Sequence, residues 1–200
     1  DRYDPDKRVG LIVDEWGTWF DPEPDTNPGF LYQQNTIRDA LVAAVTFDIF
    51  HRHCDRVQMA NIAQTVNVLQ AMVLTEGERM TLTPTYHLFE MYKVHQDAAA
   101  LDAHVECGSC DADGQPIPQL SATASRAEDG TVHIGLSNLS HDKAAEVVVD
   151  MRGTAEPDRI DGRILTASGC RDYNTFDDPD AVKPEPFRQW SAAGGTLTAA

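Results

Sequence analysis

The spacing of hydrophobic positions changes character once along the chain, near residue 98, and the two parts predict different classes of structure. Val9-Gly10-Leu11-Ile12-Val13 is a nearly continuous apolar run. That is the pattern of a strand buried on both faces of a parallel sheet. It runs straight into Asp14-Glu15-Trp16-Gly17. Residues 21–35, with Asp21-Pro22-Glu23-Pro24-Asp25 and Asn27-Pro28-Gly29, predict a loop. Thr36 stands where it can cap a helix, and Asp39 three residues on completes a capping-box-like pattern. Ile37, Ala40, Leu41, Ala44 and Val45 then recur at helical spacing, predicting a helix to about His53. Val57–Ile62 predicts a second strand, so strand, loop, helix and strand make a βαβ unit with parallel pairing. Glu76-Gly77-Glu78 marks a turn, and Pro84 opens another helix over about residues 85–95.

Beyond residue 98 the period shortens. Leu120–Ser125 alternates weakly, Glu128-Asp129-Gly130 is a turn, and Val132, Ile134 and Leu136 alternate cleanly. A hairpin over 120–126 and 131–138 follows. Val147–Val149 predicts a further strand, with 159–165 and 196–198 as weaker candidates. Short alternating strands of this kind predict an all-β sandwich. The expected organisation is an α/β part over 1–97 and a β-sandwich over 98–200. Two parallel strands neither close a sheet nor bury both of its faces. The rest of the α/β fold is therefore expected ahead of Asp1, and a final sandwich strand beyond Ala200.

Composition narrows the function classes. A hydrophobic fraction of 42% fits a folded chain. No segment has the roughly 18–20 apolar residues that span a membrane. The net charge of −16 repels polyanions, which argues against nucleic acid and anionic membrane surfaces as partners. It suits a neutral ligand such as a sugar but selects none, and its ordinary meaning is solubility. Cys107-Gly108-Ser109-Cys110 supplies half of a four-ligand metal set with no second pair at short spacing, so neither metal nor cofactor is expected. A disulfide and two plain thiols both remain open there. No signal-peptide pattern is present, and the expected location is cytoplasmic, although the first residue of a fragment carries no information on export.

Glu15 is the first candidate for chemistry. It lies just past the predicted C-terminal end of a buried parallel strand, the edge where catalytic groups project in α/β barrels. A carboxylate there can be a nucleophile, a base or a metal ligand, or merely the partner of a neighbouring arginine. Trp16, Trp19 and Phe20 follow, and flat aromatic rings suit the apolar faces of sugars. For Trp16, packing between sheet and helix is an equal alternative. Asn61 and Gln64 lie at the same end of the second strand and can hold a hydroxyl, or can simply cap a loop. His51, His53 and His87 read as structural or surface residues. Asp55-Arg56 reads as an ion-paired turn, and Asp172–Asp180 as a solvated loop without the oxygen spacing of a calcium site.

At Asp14–Phe20, again through Gln33–Ala43, and again through Asp55–Gln70, the sequence resembles the family 51 glycoside hydrolases, the α-L-arabinofuranosidases. The likeness is strong over 9–97 and looser over the β-rich remainder. It implies the last two βα units of a (β/α)8 TIM barrel followed by an antiparallel, jelly-roll-like β-sandwich, both incomplete in this chain. It further implies a retaining glycoside hydrolase that releases terminal α-L-arabinofuranosyl residues from arabinose-containing polysaccharides or oligosaccharides. The family's members are often homo-oligomers. The family's nucleophile maps onto Glu15, its pocket tryptophan onto Trp19, and a sugar-contacting glutamine onto Gln64. The acid/base glutamate has no counterpart here. Gly17 stands where some members have Asn, which points to a subgroup difference in the pocket wall. Two other readings compete: another retaining barrel glycosidase of xylanase or β-glycosidase type, and a non-catalytic carbohydrate-binding or structural module. The second is weakened because Trp190 is the one tryptophan after residue 98.

Overall fold

The structure is a computed structural model and describes residues 3–153, 157, 159–193 and 196–199, with the backbone alone of residue 193. Strand β1 (Leu11–Trp16) pairs in parallel with β2 (Val57–Ile62), and helix α1 (Ile37–Arg52) connects them. This is the expected βαβ unit. The Asp39 carboxylate accepts a hydrogen bond from the Thr36 N–H at 2.8 Å, closing the capping box that starts α1. Asn27 opens a short 3-10 turn at Pro28–Phe30.

After β2 the chain forms an antiparallel hairpin, β3 (Val73–Glu76) and β4 (Arg79–Leu82). Its turn includes Gly77 at φ 59°, a left-handed conformation that favours glycine. Helix α2 (Pro84–Tyr92) follows, capped by the Thr83 side chain, and continues as a 3-10 turn to His95. The remainder is strand: β5 (Ala99–Leu101), β6 (Ser109–Ala112), β7 (Gln115–Pro118), β8 (Leu120–Arg126), β9 (Val132–Asn138), β10 (Val147–Asp150), β11 (Gly162–Ile164), β12 (Glu185–Phe187), β13 (Trp190–Ala193) and β14 (Thr196–Ala199). Among the described residues these form small antiparallel sheets, ordered β5-β8-β9 and β10-β14-β13, with two-stranded β6-β7 and β11-β12. The expected 120–138 hairpin is β8-β9. The β6-β7 hairpin was not anticipated. Its Asp113-Gly114 turn, with φ of 53° and 77°, is the dipeptide such tight turns require. Cys110 lies in β6 and all four cysteines are free thiols, so the disulfide alternative is not realised.

Ala40, Ala43 and Ala44 give α1 a small, buried face against which Leu88 of α2 and Trp16 of β1 pack. Trp16 lies edge-on to Phe47 and Phe50, at 5.4 and 5.5 Å between ring centroids, and stacks with Phe89 at 6.1 Å. Such pairings contribute beyond the area they bury. The sheet differs from the expectation of two buried faces. Leu11, Ile12 and Met59 are 53, 60 and 54% exposed. Consecutive strand residues point to opposite faces, so the exposure of both Leu11 and Ile12 leaves this end of β1 uncovered on each side.

A second buried cluster joins the helices to β8 and β9. Asp48 of α1 is fully buried and accepts hydrogen bonds from the Ser121 hydroxyl at 2.5 Å and the Tyr92 hydroxyl at 3.1 Å. His51 Nδ1 is hydrogen-bonded to Thr123 Oγ1 at 2.9 Å, and His95 Nδ1 to Ser125 Oγ at 2.7 Å. Burial pushes the Asp48 carboxyl and the Tyr92 hydroxyl up, and pushes His51 down. It takes His95 down to about 4, with His51 and His133 adding repulsion.

Candidate active site

Glu15 lies inside β1, one residue before its end, rather than just past it. Its side chain is exposed, and it has no hydrogen-bond or ion-pair partner among the described residues. The last backbone link between the two parallel strands is the Ala63 N–H donating to the Trp16 carbonyl at 2.8 Å. From there the chains diverge into two loops at the same end of the sheet. The first carries Trp19, the second Gln64. Trp19 is 65% exposed, so its ring is available for contact. Trp16 resolves to the packing alternative, because it is enclosed by phenylalanines of α1 and α2. Gln64 and Asn61 are exposed, with no side-chain partner among the described residues. Backbone bonds from the Gln64 N–H to Val68 O and from the Met72 N–H to Gln64 O fold the second loop on itself.

Beneath these exposed residues lies a layer of buried polar groups. Gln33, Asn35, Asp39 and Gln70 are each 0–1% exposed. The Gln33 Oε1 accepts from the Phe20 N–H at 2.9 Å, and its amide donates to Thr18 O at 3.2 Å. Asn35 donates to Leu69 O at 3.0 Å. Gln70 accepts from the Thr18 N–H at 2.8 Å and donates to Asp39 O at 2.8 Å. The Thr18 hydroxyl donates to Asp39 Oδ1 at 2.7 Å. A buried backbone group without a partner is costly, so these amides satisfy loop segments that cannot reach a sheet or helix ladder. Arg38 lies 4.2 Å above the Phe20 ring and holds that side chain against α1. Gln33, Asn35 and Gln70 lie in the stretches that carry the family resemblance, but nothing local assigns them a role. Their partners are up to 52 positions away, so local sequence carries little signal for them.

Three further expectations meet the structure here. Arg56 pairs with Asp4 and Lys7 with Asp55, so the Asp55-Arg56 turn is ion-paired to the N-terminal segment rather than internally. His53 caps the end of α1 and is exposed, and His87 is half-buried on α2. No group of three or more His, Cys, Asp or Glu among the described residues is arranged to hold a metal.

A family model, the α-L-arabinofuranosidase C-terminal domain, matches residues 14–200. The chain belongs to this family. The match begins at Asp14, so it includes Glu15, Trp19 and Gln64. Among curated proteins, the intracellular exo-α-L-arabinofuranosidase of Bacteroides ovatus is 51% identical over 198 residues, covering 98% of this chain and 38% of that protein. The intracellular exo-α-(1→5)-L-arabinofuranosidase of Streptomyces lividans is 26% identical, covering 97% and 31%. Among solved structures, the GH51 arabinofuranosidase from Xanthomonas axonopodis pv. citri superposes with a TM-score of 0.97 at 49% identity, covering all of this chain and 40% of that one. This arabinofuranosidase C-terminal domain chain therefore spans about two fifths of the length of the Bacteroides ovatus and Xanthomonas relatives.

Proposed function

We propose that these residues are the C-terminal part of a retaining α-L-arabinofuranosidase, with Glu15 as nucleophile and the acid/base carboxylate outside the chain. In this reading residues 1–97 supply the last two βα units of a (β/α)8 barrel, and 98–200 a β-sandwich that shields it. The observation that carries the reading is the arrangement at one sheet edge. Glu15 near the end of β1, Trp19 in the loop after it and Gln64 in the loop after β2 emerge together. The exposed apolar side chains of Leu11, Ile12 and Met59 fit a sheet whose packing partners are supplied by the rest of a barrel.

The chemistry follows from two carboxyl groups about 5–5.5 Å apart. Glu15 attacks the anomeric carbon while the partner acid protonates the leaving oxygen, giving a covalent arabinosyl-enzyme. The partner then deprotonates a water that attacks the same carbon, releasing arabinose and restoring Glu15. Trp19 presents an apolar ring face to the sugar and Gln64 holds a hydroxyl. The substrate is a terminal arabinofuranosyl group on an arabinose-containing polysaccharide or oligosaccharide. The two relatives whose names include "intracellular" support a cytoplasmic location. A homo-oligomer rests on the family resemblance.

The test is Glu15→Gln in the intact enzyme. It removes nearly all hydrolysis of an aryl arabinofuranoside while the protein stays folded. Normal turnover in that variant sinks the assignment. The 200-residue chain by itself, lacking the second carboxylate, is expected to hydrolyse nothing.

A further inference from the structure

We propose that Gln70 is a positioning residue, whose carboxamide fixes the loop after Glu15 against the loop that carries Gln64. The inference rests on Glu15 as nucleophile and deepens that reading.

Asn35 and a Leu69-to-Leu31 backbone bond tie the far part of the first loop to the second, and Gln70 is the side chain that reaches the segment directly after Glu15. Its carboxamide is fully buried and its orientation is unambiguous. The Thr18 N–H can only donate, so it must face Oε1, at 2.8 Å. The Asp39 carbonyl can only accept, so it must face Nε2, also at 2.8 Å. The second Nε2 proton goes to Thr85 Oγ1 at 3.2 Å. One side chain thus joins three elements: the loop three residues after Glu15, the first turn of α1, and the start of α2. Its own N–H donates to Ala63 O at 2.8 Å, next to Gln64, so the anchor and the sugar-contacting candidate belong to one closed loop.

Gly17 supports this role independently. Its φ of +145° is one that side chains rarely adopt, and a Cβ there would lie 3.1 Å from Gln70 Oε1. The strand therefore leaves Glu15 through a residue that lets the backbone pass close against the Gln70 amide. A carboxylate nucleophile must sit at attack distance from the anomeric carbon, and a displacement of about 1 Å can cost on the order of a hundredfold in rate.

The experiment compares four variants of the intact enzyme by kcat and KM on an aryl arabinofuranoside, well below the melting temperature of each. Gln70→Leu keeps the volume but leaves the Thr18 N–H unpaired and removes the tie to the Asp39 carbonyl at the start of α1. It is expected to lower kcat by about 10- to 100-fold, with KM changing by a smaller factor. Gln70→Asn keeps both groups one methylene shorter, is less disruptive to folding, and is expected to give an intermediate kcat. Asn174→Ala removes an equally buried amide that holds Leu82 O and Val182 O away from these loops. It is expected to lower the melting temperature with kcat unchanged. Wild-type kcat in both Gln70 variants overturns the proposal, as does a loss expressed in KM alone or an equal kcat loss in Asn174→Ala. Glu15→Gln, assayed alongside, separates the two ideas. If it is inactive while the Gln70 variants are normal, the nucleophile reading stands and the positioning role falls. If it is active, the nucleophile reading itself falls.

Discussion

Helix α1 carries two buried aspartates nine positions apart, and their surroundings are opposite in kind. Asp39, in the first turn, receives the Thr36 N–H, the Thr36 and Thr18 hydroxyls and, at 3.3 Å, the Arg38 guanidinium. Beyond these partners lie the buried amides of Gln33, Asn35 and Gln70, the last bonded to the Asp39 carbonyl. Asp48, further along, receives only the hydroxyls of Tyr92 and Ser121, and its neighbours His51 and His95 do titrate. The first cluster lies under the candidate active site, the second where the helices meet β8 and β9. The contrast teaches that two identical side chains on one helix serve different ends: Asp39 ties loop segments to the helix start, and Asp48 sits beside histidines where the helices meet β8 and β9.

Three substitutions or conditions sharpen that contrast. The largest effect is expected from Asp39→Ala, which strands the Thr36 N–H and the Thr18 hydroxyl in a dry site. Unfolding free energy should fall by about 3 kcal/mol, read from the denaturant midpoint. A loss no larger than that of a surface carboxylate would break the contrast. Tyr92→Phe removes one of the two hydroxyls on Asp48 and should cost about 1–2 kcal/mol by the same measurement, with the Asp48 carboxyl pushed further up.

The smallest effect is a pH dependence confined to the second cluster. His95 is held down to about 4 and His51 below its usual value, so the unfolded chain binds protons that the folded one refuses. Their contribution is unaltered above about pH 6.5 and becomes unfavourable as pH falls from there to about 4. Asp48, pushed up by burial, works in the opposite sense over the acid part of this range, since its protonation relieves a buried charge. Two histidines oppose one aspartate, and the histidines are partly solvated, so a shallow net loss on acidification is expected. His95→Gln should flatten it, measured by melting temperature from pH 7 to 4. A melting temperature that drops as steeply in that variant would place the titration elsewhere.

Much of this was legible in the chain itself. The capping pair Thr36 and Asp39, the helical period through α1 and the run Val57–Ile62 specify the βαβ unit, because caps and hydrophobic periods act over a few residues. The Glu128-Asp129-Gly130 turn between alternating runs likewise specifies β8-β9. The motif around Glu15 specified the family and a candidate nucleophile. The Asp113-Gly114 hairpin was equally local and simply went unread.

What the tertiary structure decided is everything that depends on a distant partner. The sequence left Trp16 equally suited to sugar contact and to packing, and Phe47, Phe50 and Phe89 decided it. It could not mark Gln70 as an anchor, because Thr18 and Asp39 reach it only after the strands pair and α1 docks. Nor could it separate Asp39 from Asp48, since both are aspartates on one helix. Local patterns fix which segments form helices and strands, because those bonds are made within the segment. A buried amide or carboxylate acquires its role from groups that arrive from elsewhere in the fold, and only the folded chain brings them within 3 Å.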